Sequence, residues 1–282
     1  MTRHAKTNKL IETAAAILAE HNPMTVRQLF YQLVSRQVIE NCRSAYQAVS
    51  KALVAARLEE TIPWEHIEDR LRQPRHVSMW SGLPDFAKTA ATAYRRDVWT
   101  KQPAYLETWL EKDALSGIFE NALNSYGVTL NVGRGFDGWD SIKNAADRFI
   151  EHEIQDKSVV VLYFGDFDPS GEDMVRSLRE RLGELYSFPK IIKCALTHDD
   201  IRRYRLPTDF TKKTDTRRDS FVSKFGDVSV ELDALPLAIL RNRIVEEVES
   251  HIDMRALRRV QQKERTERRR LVDVLNDIGA AP

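Results

Sequence analysis

One segment constrains the fold of this chain more than any other: the six apolar residues 159–164 run directly into Gly-Asp-Phe-Asp-Pro-Ser-Gly. An uninterrupted apolar run of this length is typical of a central strand that is covered on both faces. From residue 104 onward, short strand-like runs also alternate with longer segments of helical periodicity. The pattern predicts an α/β domain with a mostly parallel sheet over residues 104–282, ending in a polar helical extension.

The N-terminal residues carry a different pattern, in which breaks such as Asn22-Pro23 separate three segments of helical periodicity. The second helix is expected to start at Thr25. Residues 61–67 have the composition of a short hairpin. Three helices followed by such a wing predict a winged-helix (CAP-like) DNA-binding domain over residues 1–78. A linker with one helix, residues 79–103, would join the two domains.

Composition limits the class of protein. The chain has 282 residues, and no apolar run approaches the roughly 18 residues that a membrane span needs. Its two cysteines lack a CxxC spacing and no apolar leader precedes the first helix, so we expect a cytoplasmic protein without disulfides or a zinc ribbon. The net charge is only +1. Any DNA contact must therefore come from local basic clusters, such as Arg70, Arg72 and Arg75 or the segment 255–270.

Two aspartates, Asp166 and Asp168, follow the apolar strand directly, and Glu111 follows the first predicted strand of the same domain. Side chains two positions apart on an extended segment point the same way, so the aspartates can converge on one cation. Crowded carboxylates repel one another, and a bound cation relieves the repulsion. Because hard oxygen donors suit magnesium, these three residues predict a Mg²⁺ site at the carboxyl ends of the strands.

A tyrosine on the second helix is the candidate nucleophile. Helical spacing places Tyr31 at the margin of the apolar face, with Arg27 one turn earlier on nearly the same side. A phenol with a pKa of about 10 is a poor nucleophile until a base or metal assists it. Arg27 could neutralise the phosphate that such a tyrosine attacks. An exposed helical tyrosine is a weak signal alone, so the hypothesis depends on the carboxylates.

Taken together, these segments resemble the A subunit of topoisomerase VI and its meiotic double-strand-break relatives. The family's motifs are matched in order by residues 27–31 (Arg-x-x-aromatic-Tyr), 111–114 (Glu-Lys-Asp-Ala) and 166–171 (Asp-x-Asp-Pro-x-Gly). The turn Gly133-Arg134-Gly135 and the acidic segment 231–235 also fall where the family has similar segments. The resemblance implies that the α/β domain is a Toprim domain.

The resemblance also implies a reaction. Tyr31 would attack a phosphodiester of double-stranded DNA, form a 5′-phosphotyrosyl bond and free a 3′-hydroxyl, with Glu111 as acid/base or metal ligand. In that family the tyrosine of one protomer works with the metal of the other, which implies a homodimer.

The chain is short and carries no GxxxxGK[ST] signature. An ATPase B-type partner would be a separate chain, and a reduced, nucleoid-associated A-like protein of phages or plasmids fits the length.

Other functions stay open on the sequence alone. A Toprim nuclease would hydrolyse DNA with metal-bound water and leave Tyr31 structural. A phosphatase-like enzyme that phosphorylates its own aspartate usually carries DxDx[TV], which the residues after Asp168 do not match. A non-enzymatic winged-helix regulator would account for residues 1–75 but would leave the carboxylates without a purpose.

Overall fold

The computed structural model describes residues 5–68, 77–133 and 138–279. Helices form its N-terminal part: α1 (Ala5–His21), α2 (Val26–Ser35), α3 (Arg43–Leu58) and α4 (Leu83–Ala93). Strands and helices then alternate: β1 (Ala104–Leu110), α5 (Ser116–Leu123), β2 (Thr129–Val132), α6 (Trp139–Glu153), β3 (Ser158–Phe164), α7 (Pro169–Glu184) and β4 (Lys190–Ala195). The described chain ends in helices: α8 (His198–Tyr204), α9 (Arg218–Phe225), α10 (Leu237–Ser250) and α11 (Met254–Gly279).

The strands form one parallel sheet in the order β2-β1-β3-β4. Both inner strands are buried along their length, apart from Ser158 at the start of β3. Leu110 pairs with Phe164, so β1 and β3 end side by side. The predicted α/β class and parallel sheet are confirmed, and the residues that follow these two strands necessarily leave the sheet at neighbouring points.

The helices α1, α2 and α3 surround a small core of their own. Helix α2 begins next to the predicted start, and Thr25 caps it: the Thr25 hydroxyl accepts from the Gln28 amide, while the Gln28 side chain accepts from the Thr25 amide. This reciprocal capping box fixes where α2 begins. Leu237 from α10 belongs to the same core. The N-terminal helices are therefore packed onto the C-terminal part of the chain.

The predicted hairpin over residues 61–67, all of which the structure describes, is wrong. Trp64–His66 form a 3₁₀ turn, and Ile67 makes a single parallel bridge to Met24. Pro63 precedes the turn and has no amide hydrogen to donate to a second strand. The winged-helix hypothesis therefore depends on the three helices. Arg70, Arg72 and Arg75 lie outside the described residues, as do residues 134–137 of the predicted glycine turn.

The segment predicted as a linker contains the expected helix, α4, but is tied down at its end. Helix α4 packs along α11. The Tyr94 hydroxyl donates to the Glu267 carboxylate at 2.7 Å, and the Arg96 guanidinium lies 2.7 Å from the same carboxylate. In the described parts of the chain, no helix has both the length and the apolar character that crossing a membrane requires.

Candidate active site

Glu111 leaves β1 beside the end of β3. Its amide donates to the Phe164 carbonyl at 3.0 Å, and its carboxylate Oε2 accepts from the Tyr163 hydroxyl at 2.9 Å. The same oxygen lies 3.3 Å from the Asp166 amide nitrogen. Gly165 allows this close approach, since a Cβ added there would lie 2.6 Å from Glu111 Oε2. Any larger residue at position 165 would push the Glu111 carboxylate away from the strand end.

The two predicted aspartates occupy the loop between β3 and α7. Asp166 accepts a hydrogen bond from the Leu232 amide at 2.7 Å, and its carboxylate lies 3.2 Å from the Lys112 ammonium. Asp168 is the N-cap of α7, where its Oδ1 accepts from the Gly171 amide at 2.7 Å. Both aspartates line one cleft of about 160 Å³. The structure thus brings them to a common space, although each carboxylate already has a partner.

Electrostatics link all three predicted carboxylates. Burial raises the pKa of the Glu111 carboxyl, and the nearby charges of Asp166 and Asp168 raise it further. Burial also raises the pKa of Asp166, even though Lys112 opposes the change. A carboxylate whose pKa is raised by neighbouring carboxylates is stabilised in its charged form when a cation lies among them.

The donor chemistry suits magnesium, which takes one or two protein carboxylates and completes its shell with water and phosphate oxygens. Asp166 and Asp168 meet that requirement because both face the cleft. Within the described residues, however, no three or more His, Cys, Asp or Glu side chains are grouped so that they could hold a metal ion. Glu111 therefore supports this pair through the Asp166 backbone in the arrangement seen here.

A lysine that the sequence prediction did not use lies at the middle of these carboxylates. The Lys112 ammonium is 2.7 Å from Glu231, 3.2 Å from Asp166 and 3.5 Å from Asp233. Its side chain is 12% exposed. Burial lowers the pKa of Lys112, but the three carboxylates outweigh it and the net pKa is raised. We call this charged lysine with Asp166, Glu231 and Asp233 the acidic centre.

Two members of the acidic centre come from one short segment. Val230 pairs with Phe167 in an antiparallel bridge, with both amide-to-carbonyl distances at 2.9 Å. The chain then enters a 3₁₀ turn, Leu232–Ala234, which directs Glu231 and Asp233 toward the lysine. Because the bridge starts at Phe167, between the two predicted aspartates, it fixes this segment to the loop that carries them.

The two carboxylates of that segment differ in protonation. Burial raises the pKa of the fully buried Asp233 to about 6. One of its oxygens, Oδ1, has no hydrogen-bond partner among the described residues. Burial raises the pKa of Glu231 as well, but Lys112, Tyr31 and Arg27 outweigh it, so the net pKa is lowered. Glu231 is therefore ionised at neutral pH, whereas Asp233 gains a proton only slightly below it.

Tyr31 joins the N-terminal helices to the acidic centre. The Glu231 carboxylate lines the same cleft as the Tyr31 phenol and raises its pKa. The Arg27 guanidinium lies 3.4 Å from Glu231 and 3.7 Å from Asp233. Arg27 and Lys112 each place their charged group 5.6 Å from the centre of the Tyr31 ring. Two cations thus fix the position of the phenol.

The protonation of Tyr31 follows from the same contacts. Burial raises the pKa of the half-buried phenol, and Glu231 raises it further. Arg27 and Lys112 act in the opposite direction but are outweighed. The hydroxyl is consequently protonated at neutral pH, with a carboxylate next to it that can accept its proton. Tyr31 also lines the 160 Å³ cleft that Asp166 and Asp168 line.

Sequence analysis singled out five residues, and the structure brings them to one region of a single chain: Arg27, Tyr31, Glu111, Asp166 and Asp168. Lys112, Glu231 and Asp233 entered the sequence prediction only as parts of the segments that carry the resemblance, with no role assigned to them. The available signal was an acidic pair two positions apart within an apolar segment. Tyr31 contacts Arg27 and Lys112 of its own chain.

The fold and the site define a mixed α/β protein in which a tyrosine of an N-terminal helical module borders an acidic cleft beyond a parallel sheet. Comparison of the chain with known protein families, with curated proteins and with solved structures finds no match in any of the three. The function is therefore argued from the residues of this cleft.

Proposed function

We propose that this protein is a magnesium-dependent DNA strand-cleaving enzyme, similar to the A subunit of topoisomerase VI, that breaks DNA through a 5′-phosphotyrosyl bond on Tyr31. One observation carries the proposal: Tyr31, Asp166, Asp168 and the Glu231 carboxylate line one cleft. A nucleophile, a proton acceptor and oxygen ligands for a cation thus face one space.

The chemistry proposed for the chain's own residues is a transesterification. The Tyr31 oxygen forms a bond to phosphorus while the bond from phosphorus to the 3′-oxygen breaks, and the phenolic proton passes to Glu231. The leaving 3′-oxygen takes a proton from solvent. Arg27, whose side chain is 51% exposed, is able to contact the phosphate. Magnesium held by Asp166 and Asp168, with Glu111 beside them, would neutralise charge on the phosphate.

Double-stranded DNA is the proposed substrate, and the basic residues that could contact it are local. Helix α11 carries arginines on its exposed positions: Arg255, Arg258, Arg259, Arg265, Arg269 and Arg270. These charges are concentrated in a chain whose net charge is +1. A cluster of this kind supplies the salt-dependent backbone contacts on which DNA binding depends. A strand-passage cycle would need an ATPase on a separate chain.

The first test uses supercoiled plasmid with Mg²⁺, analysed with and without protease digestion before the gel. We expect nicked or linear DNA to enter the gel only after digestion, because the broken 5′ end carries the protein. Cut DNA whose ends are free without digestion would assign the protein to the hydrolytic nucleases. Retarded but uncut DNA at every metal concentration would favour a winged-helix regulator.

We also propose a homodimer, because cutting both strands of a duplex requires two tyrosines. The prediction concerns which chain completes each site. A mixture of Tyr31→Phe and Asp166→Asn chains should not regain cleavage, because Tyr31 lines the same cleft as Asp166 and Asp168 of its own chain. Renatured mixtures with one tagged subunit, assayed for protein-linked DNA, provide the measurement.

One result with the mixed dimers would contradict the prediction that cleavage is not regained. Restored cutting of one strand would show that the tyrosine module exchanges between protomers, so that each site combines two chains. A protein that is monomeric by light scattering at working concentration and still cuts both strands would refute the dimer. Mixtures of wild-type chains, carried through the same renaturation, control for losses during refolding.

A further inference from the structure

Tyr31 also lines a second cleft. The charged side chains that line this cleft are basic, whereas those of the first cleft are mainly acidic. The volume of the second cleft is about 470 Å³, within the roughly 300–1,000 Å³ of small-ligand sites. The described residues that line it are Arg27, Phe30, Tyr31, Asn41, Cys42, Arg43 and Tyr46. These include two arginines and no carboxylate, whereas the described residues that line the smaller cleft include four aspartates, one glutamate and one lysine. Tyr31 therefore lies on the border between a basic cleft and an acidic one.

The aromatic residues of the larger cleft form a fixed series. The Phe30 ring lies edge-on to Tyr31 on one side and to Tyr46 on the other, with both centroid distances at 5.3 Å and both interplanar angles at 75°. Phe30 is buried, whereas Tyr46 is 37% exposed. The buried ring thus supports two tyrosines, and Tyr46 offers an accessible aromatic surface within reach of two guanidinium groups.

We infer that this cleft binds a nucleotide of the strand being cut, next to the phosphate that Tyr31 attacks. The base stacks on Tyr46, and its phosphate contacts Arg43 and Arg27. Aromatic side chains bind exposed bases by stacking, with little dependence on sequence. Asn41 lines both clefts and offers one acceptor and two donors to the edge of the base. The inference rests on the proposed function, because it names the substrate of that site.

A consequence for substrate choice follows from the stacking. A base in an intact duplex is stacked on its neighbours, so it reaches Tyr46 only after it has left the helix. Leaving the stack costs least where the base is mismatched or the duplex is locally open. The enzyme is therefore selective for DNA with an unpaired base beside the scissile phosphate, and it discriminates less between base sequences.

The test measures binding separately from cleavage. The Tyr31→Phe chain holds DNA uncut, and the probe is a duplex oligonucleotide with a single unpaired 2-aminopurine, whose fluorescence falls when the base stacks on an aromatic ring. We expect quenching on binding and at least fivefold tighter binding than to the fully paired duplex. Adding Tyr46→Ala should remove the quenching and weaken binding about tenfold, the scale of one stacked base.

Matched variants separate stacking from charge. Tyr46→Phe keeps the ring and should bind like the parent. Arg43→Ala should weaken binding to paired and unpaired probes alike and lower the salt dependence by about one phosphate contact. Phe188→Ala removes a ring that is 75% exposed outside the cleft, and Arg202→Ala removes an exposed arginine of α8. Both controls should change nothing.

The outcomes separate the two proposals. An unquenched probe, with equal affinity for Tyr46→Ala and Tyr46→Phe, overturns the nucleotide site even if wild-type protein forms protein-linked DNA. Quenching that depends on Tyr46, in a protein that never becomes linked to DNA, keeps the nucleotide site and rejects the tyrosine mechanism. Quenching is first measured with the Tyr31→Phe parent, which keeps the native Tyr46. This measurement still tests the nucleotide site if the Tyr46→Ala chain folds poorly.

Discussion

Replacement of Tyr31 by phenylalanine is expected to abolish protein-linked DNA and to lower strand cleavage by at least about a thousandfold, the scale on which loss of a covalent nucleophile acts. The ring and its contacts with Arg27 and Lys112 remain, since both cations lie over the ring itself. Glu231 keeps its 2.7 Å contact with Lys112. The loss of one hydroxyl should therefore cost only about 1 kcal/mol of folding stability.

The measurement is cleavage of an end-labelled duplex, resolved on a denaturing gel with and without protease. Tyr186→Phe is the matched control, because this tyrosine is 82% exposed and lines neither cleft. Equal melting temperatures for the two variants would show that lost cutting is chemical in origin. Undiminished cutting by Tyr31→Phe, together with no protein-linked label in wild type, would show that water and not the tyrosine is the nucleophile.

Substitution of Asp166 by asparagine should remove both metal binding and cleavage. The amide keeps an oxygen that can accept from the Leu232 backbone, so the local fold is retained. It loses the negative charge that faces the cleft and that a magnesium ion requires. Since the loss of a metal's charge stabilisation is worth several kcal/mol, cleavage should fall on the order of a hundredfold or more.

Metal binding is read directly by calorimetric titration with Mn²⁺ and Mg²⁺ in the absence of DNA. Asp140→Asn is the control, because Asp140 is an exposed acidic residue in the first turn of α6. We expect wild-type heat from the control and at least tenfold weaker binding for Asp166→Asn. Full cleavage by wild-type protein in EDTA, or unchanged titration of the variant, would reject the metal assignment.

The sheet and the carboxylates at the carboxyl ends of its strands could be predicted, because short local stretches of sequence indicate them. An apolar run of six residues indicates a strand covered on both faces, and the carboxylates that follow β1 and β3 needed only that these strands be neighbours. The register of Leu110 with Phe164 supplies that neighbour relation. The prediction of a hairpin after α3 was wrong for a local reason too. Pro63 lacks the amide hydrogen that a paired strand would donate at that position.

The cation of the acidic centre could not be predicted, because its partners are far away in sequence. Consecutive side chains on an extended segment point to opposite sides, so a role for Glu111 says nothing about Lys112. Lys112 meets Glu231 across 119 positions, and Arg27 meets the same carboxylate across 204. Helical and strand periodicity indicates only contacts between residues that are close in sequence. They depend on how the N-terminal helices pack against the segment after Val230.

The long separation between Arg27 and Glu231 has a consequence for how the protein is made. A ribosome releases the tyrosine helix early, while the Glu231 carboxylate is still untranslated. A partly synthesised chain therefore carries the proposed nucleophile, Tyr31, without the carboxylates of Asp166, Asp168 and Glu231. Under the proposed mechanism, strand breakage would require synthesis of the chain past Glu231, and a chain truncated before that residue is expected not to cleave DNA.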